Sequence, residues 1–273
     1  MRHAPCAFSR LIEPFAGSAA MTLFVANRGL AQEYLINDSY QPLVELWKLI
    51  ISNPQKCIIG YEKLWIAQQE DPRTYYADIR TKFNEDHDPV KFLYLMARCV
   101  KNAIRFNSSG GFNQSPDNRR LGRTPADMSK QILIASTLLK NKTTVMNLDY
   151  GDIFRMVKKG DLVYMDPPYQ GTSTARDSRY HQGLDLAKFI ESIDNLNSRG
   201  VDFLISFDGV CGTKKYGSDL PNSLGLRRVD IHAGRSTTAT LHGREEMTVE
   251  SLYISPTITR RVILPTFSLA VPV

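Results

Sequence analysis

Short apolar runs rich in β-formers recur along this chain and alternate with stretches whose apolar positions repeat every three or four residues. Residues 10–13 (Arg-Leu-Ile-Glu), 34–38 (Tyr-Leu-Ile-Asn-Asp), 144–148, 161–165 (Asp-Leu-Val-Tyr-Met), 201–207 and 249–254 are of the first kind. Such runs, four to seven residues long and without a clean polar face, read as strands buried on both sides, as in a parallel sheet. Residues 19–27, 43–51 and a segment reaching 197 carry helical spacing between them. Strand and helix in alternation predict an α/β domain whose sheet is mostly parallel and closed by a reversed strand.

From 52 to 142 the alternation is lost. Residues 75–83, 90–102 and 129–140 have apolar stripes at helical spacing. Between the last two lies an amide- and arginine-rich segment, residues 105–123, with Gly110-Gly111 at a hairpin-like centre. The reading is therefore a mainly helical insert, 52–142, carrying a hairpin near 105–123, set into a catalytic domain formed by 1–51 and 143–273.

Charge sharpens that division. The chain of 273 residues has a net charge of +6 and a pI near 9.1. Residues 98–142 hold nine Lys or Arg against Asp117 and Asp127, a local +7 that leaves about −1 for everything else. A polyanion is thus expected at the insert. Asn, Gln and Arg, which dominate the hairpin, are the side chains that bond bidentately to base edges, whereas a merely solvated loop tends to use Lys, Glu and Ser.

The cysteines exclude other classes. Cys6, Cys57, Cys99 and Cys211 show no Cys-x-x-Cys or Cys/His ligand spacing, which argues against zinc and against a disulfide framework and favours a reducing, cytoplasmic setting. Arg2, Arg10 and the apolar residues 19–26 imitate a secretory signal, but Glu13-Pro14 and the short apolar stretch do not fit one. No run approaches the roughly 20 residues that span a bilayer.

Three strand ends carry candidate chemistry. Asp166-Pro167-Pro168-Tyr169 closes the run 161–165. Two prolines cannot continue a ladder and lack N–H groups, so the Asp166 carboxylate and nearby carbonyls present acceptors suited to the two N–H donors of an exocyclic amine, and Tyr169 offers a face for a planar ring. Glu13-Pro14-Phe15-Ala16-Gly17-Ser18-Ala19 closes the first strand. Gly17 permits close backbone approach, and the following helix N-terminus presents unpaired N–H groups, which together suit a nucleotide-like cofactor. Asp38 ends the second strand about twenty residues on, where a carboxylate accepts ribose hydroxyls. Capping of the next helix is the competing role for Asp38.

Read together, the Glu13–Ala19 loop, the intervening insert and Asp166–Tyr169 resemble the Dam-like, D12 class of N6-adenine DNA methyltransferases over residues 11–254. The resemblance implies a Rossmann-like sheet, S-adenosyl-L-methionine as cofactor, double-stranded DNA as substrate and, for some members, a cognate restriction endonuclease as partner. It implies that Glu13 to Ala19, Asp38 and Asp166 contact the cofactor. It also implies that an acid after the third strand bonds the cofactor's adenine amino group while apolar neighbours flank the ring, and Asp152 with Ile153 is the choice here over Asp149. Arg105, Asn107, Phe112 and Asn113 match the family's recognition hairpin, to which Arg119, Arg120 and Arg123 are added as base-directed candidates. After Asn113 the chain reads Gln-Ser-Pro-Asp-Asn-Arg-Arg where the Dam form has apolar-Pro-aromatic-Gly, so the GATC target is not transferred. Residues 1–7 do not match the Gly- and Lys-containing motif with which the family starts.

The implied reaction is methyl transfer to N6 of an adenine flipped out of the duplex and stacked on Tyr169. Asp166 and the Pro167 carbonyl would accept the amine's N–H bonds and localise its lone pair. An N4-cytosine methyltransferase and a non-catalytic DNA-binding subunit of the same fold are the alternatives. The first more often carries Ser at the position of Asp166.

Overall fold

The computed structural model describes residues 8–100, 104–168, 184–211, 214–216, 219–235 and 247–263. Five parallel strands form the heart of the sheet: β1 (Arg10–Glu13), β2 (Glu33–Asn37), β3 (Thr143–Met146), β4 (Asp161–Met165) and β5 (Asp202–Cys211). The reversed strands β7 (Arg227–Arg235) and β8 (Met247–Ile254) extend it in the order β3-β2-β1-β4-β5-β8-β7, and β6 (Lys214–Tyr216) pairs off this path with β5. The expected reversed closure is present, and it is wider than the single strand read from the sequence.

Both faces of the central strands β1, β2, β4 and β5 are buried, which is why those strands read as unbroken apolar runs. Leu11, Tyr34, Ile36, Leu162 and Leu204 face one core, while Ile12, Leu35, Val163, Phe203 and Ile205 face the other. Period-two alternation assigns neighbours to opposite layers. The second layer is made by α7 (Tyr150–Met156) and α8 (Leu186–Ser198). The first holds α1 (Ala20–Asn27), α2 (Gln41–Ser52) and the helices between β2 and β3, namely α3 (Pro54–Ala67), α4 (Pro72–Asp86), α5 (Pro89–Arg98) and α6 (Pro125–Leu139). A last helix, α9 (Pro256–Ile263), follows β8.

Helix α3 was not anticipated, and α5 stops at Arg98. Each of α3 to α6 begins with Pro in its first turn behind an Asn, Asp or Thr cap whose side chain accepts a backbone N–H, the pairing that most firmly sets a helix start. At the amino end of the sheet Arg10 grips Asp161 across the β1–β4 register, with Nη2 2.6 Å from Oδ2 and Nε 3.2 Å from Oδ1. Strand order reverses between β1 and β4. Ligands of open α/β sheets bind beyond the carboxyl ends of the strands at such a point.

Candidate active site

The loop after β1 is built around two left-handed residues, Gly17 (φ +48°) and Ala19 (φ +48°). A Cβ on Gly17 would meet nothing within 4 Å, so glycine is favoured there by conformation and not by space. The Gly17 amide donates to Asp38 Oδ2 (3.0 Å), and its carbonyl accepts from Trp47 Nε1 (2.9 Å). Ala19 stands at the N-cap of α1 and offers no side-chain bond. Glu13 supplies the missing cap: its Oε2 accepts the Thr22 amide (2.8 Å) and the Thr22 hydroxyl, and the carboxylate also accepts the Met21 amide. Glu13 is only 3% exposed. Burial pushes its carboxyl up to about 7 against the lowering effect of those bonds, and the nearby Asp166 charge adds to the rise.

Beyond this loop opens a cavity of about 800 Å³, lined by Asp38, Asp166 and Pro168 among others and reached by Ile104 and Phe106 from the insert. Asp38 accepts Gly17 N–H on one oxygen and Tyr40 N–H (2.9 Å) on the other, so its carboxylate plane is held at the cavity lip while it also steadies the entry to α2. Asn37, 1% exposed, donates Nδ2 to the carbonyls of Pro14 (2.9 Å) and Leu148 (3.1 Å) and accepts Leu148 N–H at Oδ1 (2.9 Å). A single buried amide therefore ties the loops after β1 and β3 together. Sequence reasoning passed over Asn37 and Trp47. An amide at a strand end beside the expected ribose acid was the signal available for the first, and nothing marked the second.

The third strand's loop differs from expectation. Asp152 pairs with Arg155, its side chain 41% exposed, and does not line the cavity; Ile153 is wholly buried in the second core. Leu148, Asp149 and Tyr150 take their places on the wall. Because α7 begins at Tyr150, Asp149 falls at its N-cap and accepts Gly151 N–H (2.9 Å). A Cβ on Gly151 would stand 2.9 Å from that carboxylate oxygen. Tyr150 packs on Phe15 (centroids 5.2 Å apart) and Phe189 (5.8 Å). Lys188 closes the same end, 3.4 Å from Asp149 Oδ1 and 5.5 Å from the Tyr150 ring centre.

Asp166 is exposed at the carboxyl end of β4, Pro167 is buried and Pro168 partly so. Tyr169 lies outside the described residues. A second cavity, of about 540 Å³, adjoins the first and is lined by Glu13, Ser18, Met21, Phe24 and Tyr164 together with Phe15, Gly17 and Asp166, which line both. Asp166 thus stands where the two spaces meet.

The insert's expected DNA residues divide in two. Phe112 is 1% exposed and packs edge-on against Phe83 and Phe92, so it is core and presents no face for stacking. Asn107 Oδ1 accepts Ser109 and Gly111 N–H (3.0 and 2.8 Å) and so shapes the hairpin turn. Asn113, Arg119, Arg120 and Arg123 are exposed, and Arg105 is half-buried. The loop carrying them is fastened from below by side chains: Tyr76 Oη donates to Gln114 O (2.9 Å), Arg98 to Asp117 O (2.8 Å) and to Arg120 O, Gln68 to Leu121 O (3.0 Å), and Tyr61 Oη to Arg123 O (2.6 Å). Arg98, counted with the basic surface in the sequence, is 2% exposed and spends its guanidinium on this framework.

Among the described residues no group of three or more His, Cys, Asp or Glu could hold a metal ion, and no helix is long and apolar enough to cross a membrane. The profile of the family described as D12 class N6 adenine-specific DNA methyltransferase matches residues 2–234. The type II methyltransferase M1.LlaDCHI of Lactococcus lactis subsp. cremoris is 27% identical over 217 residues, covering 74% of this chain and 73% of the relative. The DNA adenine methylase of Vibrio cholerae serotype O1 is 28% identical over 226 residues, covering 78% and 77%. The retron Ec67 DNA adenine methylase of Escherichia coli is 30% identical over 194 residues, covering 66% and 64%.

Proposed function

Since the chain belongs to the D12 class of N6 adenine-specific DNA methyltransferases, we propose that its larger cavity holds S-adenosyl-L-methionine and that Asp166 with Pro167 presents an extruded adenine to it. The observation that carries this reading is the place of Asp166, at the switch point of the sheet and on the shared wall of two cavities.

The residues present fit that cofactor. Asp38, its carboxylate oriented by two backbone donors, suits the ribose hydroxyls. Phe15, Leu148 and Tyr150 form an apolar slot for a purine, with Asp149 at its edge as acceptor for the purine amine in place of Asp152. Pro14, Ala16 and Gly17 bring backbone close to the centre, while Ser18 and Ala19 lead into the N-terminus of α1. When bound, the cofactor supplies a methyl group on a sulfonium centre. Asp166 and the Pro167 carbonyl accept the two N–H bonds of the target amine, which localises a lone pair otherwise delocalised into the ring and aims it. Tyr169 stacks on the extruded base. Asn113 and the exposed arginines 119, 120 and 123 meet double-stranded DNA, with Arg105 at the hairpin's root. The setting is cytoplasmic, and a cognate restriction endonuclease is carried over as a partner from relatives named type II methyltransferases.

Incubation with duplex DNA and methyl-labelled cofactor, followed by mass analysis of nucleosides, should yield N6-methyl-2′-deoxyadenosine. Asp166→Ala should cut that yield at least about 100-fold, roughly the effect of removing one preorganised hydrogen-bonding group, with little change in cofactor affinity. N4-methylcytosine as the product, or near-wild-type turnover by the variant, would refute the assignment.

A further inference from the structure

The hairpin near residue 110 is too small to hold its own shape. Among the described residues its tip is paired by one bridge, Phe106 opposite Phe112, flanked by Asn107 N–H to Gly111 O (2.9 Å) and Asn113 N–H to Arg105 O (2.8 Å), with a second isolated bridge, Cys99 opposite Pro116, further from the tip. Isolated two-stranded hairpins are marginal at best. Because the hydrogen bonds fall on either side of it, the Phe106–Phe112 pair is a non-hydrogen-bonded one, and the N–H and C=O of Phe112 point away from the partner strand. Both are met by one side chain. Asn84 of α4 accepts Phe112 N–H at Oδ1 (2.9 Å) and donates Nδ2 to Phe112 O (3.1 Å), the two bonds a third strand would make. Its Cγ also lies 3.5 Å from where a Cβ on Gly111 would stand, with Asn107 Nδ2 at 3.1 Å. The tip is therefore held between the carboxamides of Asn84 and Asn107, while the Phe112 ring is buried against Phe83, one residue before Asn84.

We propose that Asn84 is a positioning residue for target-sequence recognition: without touching DNA, its carboxamide stands in for a missing strand and sets the attitude at which the hairpin presents Asn113 to a base edge. This rests on the reading of residues 105–123 as the DNA-reading segment. Position 84 is exposed on α4, so Asn84→Ala leaves the helix with a better helix former and removes only the clamp.

The experiment is limited methylation of a random-sequence duplex library, with methylated molecules sequenced, by the wild type, Asn84→Ala, Asn84→Asp and Asn113→Ala. Wild-type protein should concentrate methyl groups on one short motif. Asn84→Ala should lose about tenfold or more of its discrimination at one or more positions of that motif, the scale of a single mispositioned base contact. Its cofactor affinity and melting temperature should stay close to wild type. Asn84→Asp, which keeps the acceptor for Phe112 N–H and loses the donor, should fall between the two. An unaltered motif for Asn84→Ala, or a loss of discrimination only in step with lost cofactor affinity and lowered melting temperature, overturns the positioning role. A motif left intact by Asn113→Ala but blurred by Asn84→Ala keeps the clamp and moves the reading side chain elsewhere in the segment. A wild-type product scattered over all adenines overturns both the reading and the proposal.

Discussion

Glu13 gives the sharpest quantitative test of how this site is built. Its carboxyl titrates near 7 in the folded protein against an ordinary value of 4.5, because almost all of it is removed from water while only Thr22 and Met21 donate to it. Below about 4.5 the group is protonated in both folded and unfolded chains and costs nothing. Between 4.5 and about 7 the folded protein binds the extra proton, so stability falls as pH rises. Above 7 both states are ionised and the loss is complete. A shift of 4.5 to about 7 at 1.36 kcal/mol per unit corresponds to about 3 kcal/mol. Glu13→Gln keeps a carbonyl oxygen for the Thr22 donors and removes the titration. In urea melts at a series of pH values, the stability of the wild type relative to Glu13→Gln should therefore decline by about 3 kcal/mol from pH 4.5 to above pH 7 and then stay level. A stability difference that is flat across that interval would show that the capping bonds of Glu13 fully offset its burial, and one that grows in favour of the wild type would show that they outweigh it; either refutes the raised carboxyl.

Four further substitutions test the site and the loop beside it. Asp38→Ala should raise the cofactor Kd about tenfold or more, since a charged acceptor is worth roughly 1.5–3 kcal/mol; unchanged affinity by calorimetry would leave Asp38 as a support for Gly17 and α2 alone. Asp149→Asn, which keeps the cap on α7, should weaken cofactor binding several-fold, whereas Asp152→Asn removes only an exposed ion pair worth under about 1 kcal/mol and should leave binding alone; the reverse outcome restores Asp152. Ala19→Gly should raise unfolding stability by about 1 kcal/mol, the cost of a left-handed alanine, and a destabilised variant would show that the alanine methyl's burial outweighs that strain.

The strands were legible because burial on both faces leaves only apolar residues to write, as in Leu11-Ile12 and Leu162-Val163. Helix α3 was not, since Ile59 and Ile66 stand 50% and 59% exposed and blur its stripe. Strand β7 is an edge, and its Arg227-Arg-Val-Asp-Ile-His run carries polar side chains that a buried strand excludes. At the site, acids at strand ends could be read from position alone, hence Asp38 and Asp166. Choosing between Asp149 and Asp152 required knowing where α7 begins, because a shift of three residues carries a side chain from the cap to the outer face of its first turn. Asn37 and Trp47 act by reaching between elements, and neither composition nor spacing encodes such a reach. Phe112 went astray for the opposite reason: an aromatic residue in a basic segment suits base stacking and core equally, and only its neighbours decide.

Those neighbours also show why the two halves of this protein are hard to separate. Tyr40 sits two residues past Asp38, donates its amide to that carboxylate, and packs edge-on against Phe106 of the hairpin (5.0 Å) and Phe92 of α5 (5.4 Å). Phe92 in turn stacks on Phe83 (5.3 Å), beside the Asn84 clamp. Helices α3 to α6, the hairpin and α2 share one hydrophobic core with Leu11, Tyr34 and Ile36 of the sheet. A cut at 52 and 142 would therefore expose apolar surface on both pieces, at about 25 cal/mol for each Å² uncovered. The insert is a separate unit in sequence pattern and charge, yet the contacts that seat its hairpin are continuous with those that seat Asp38.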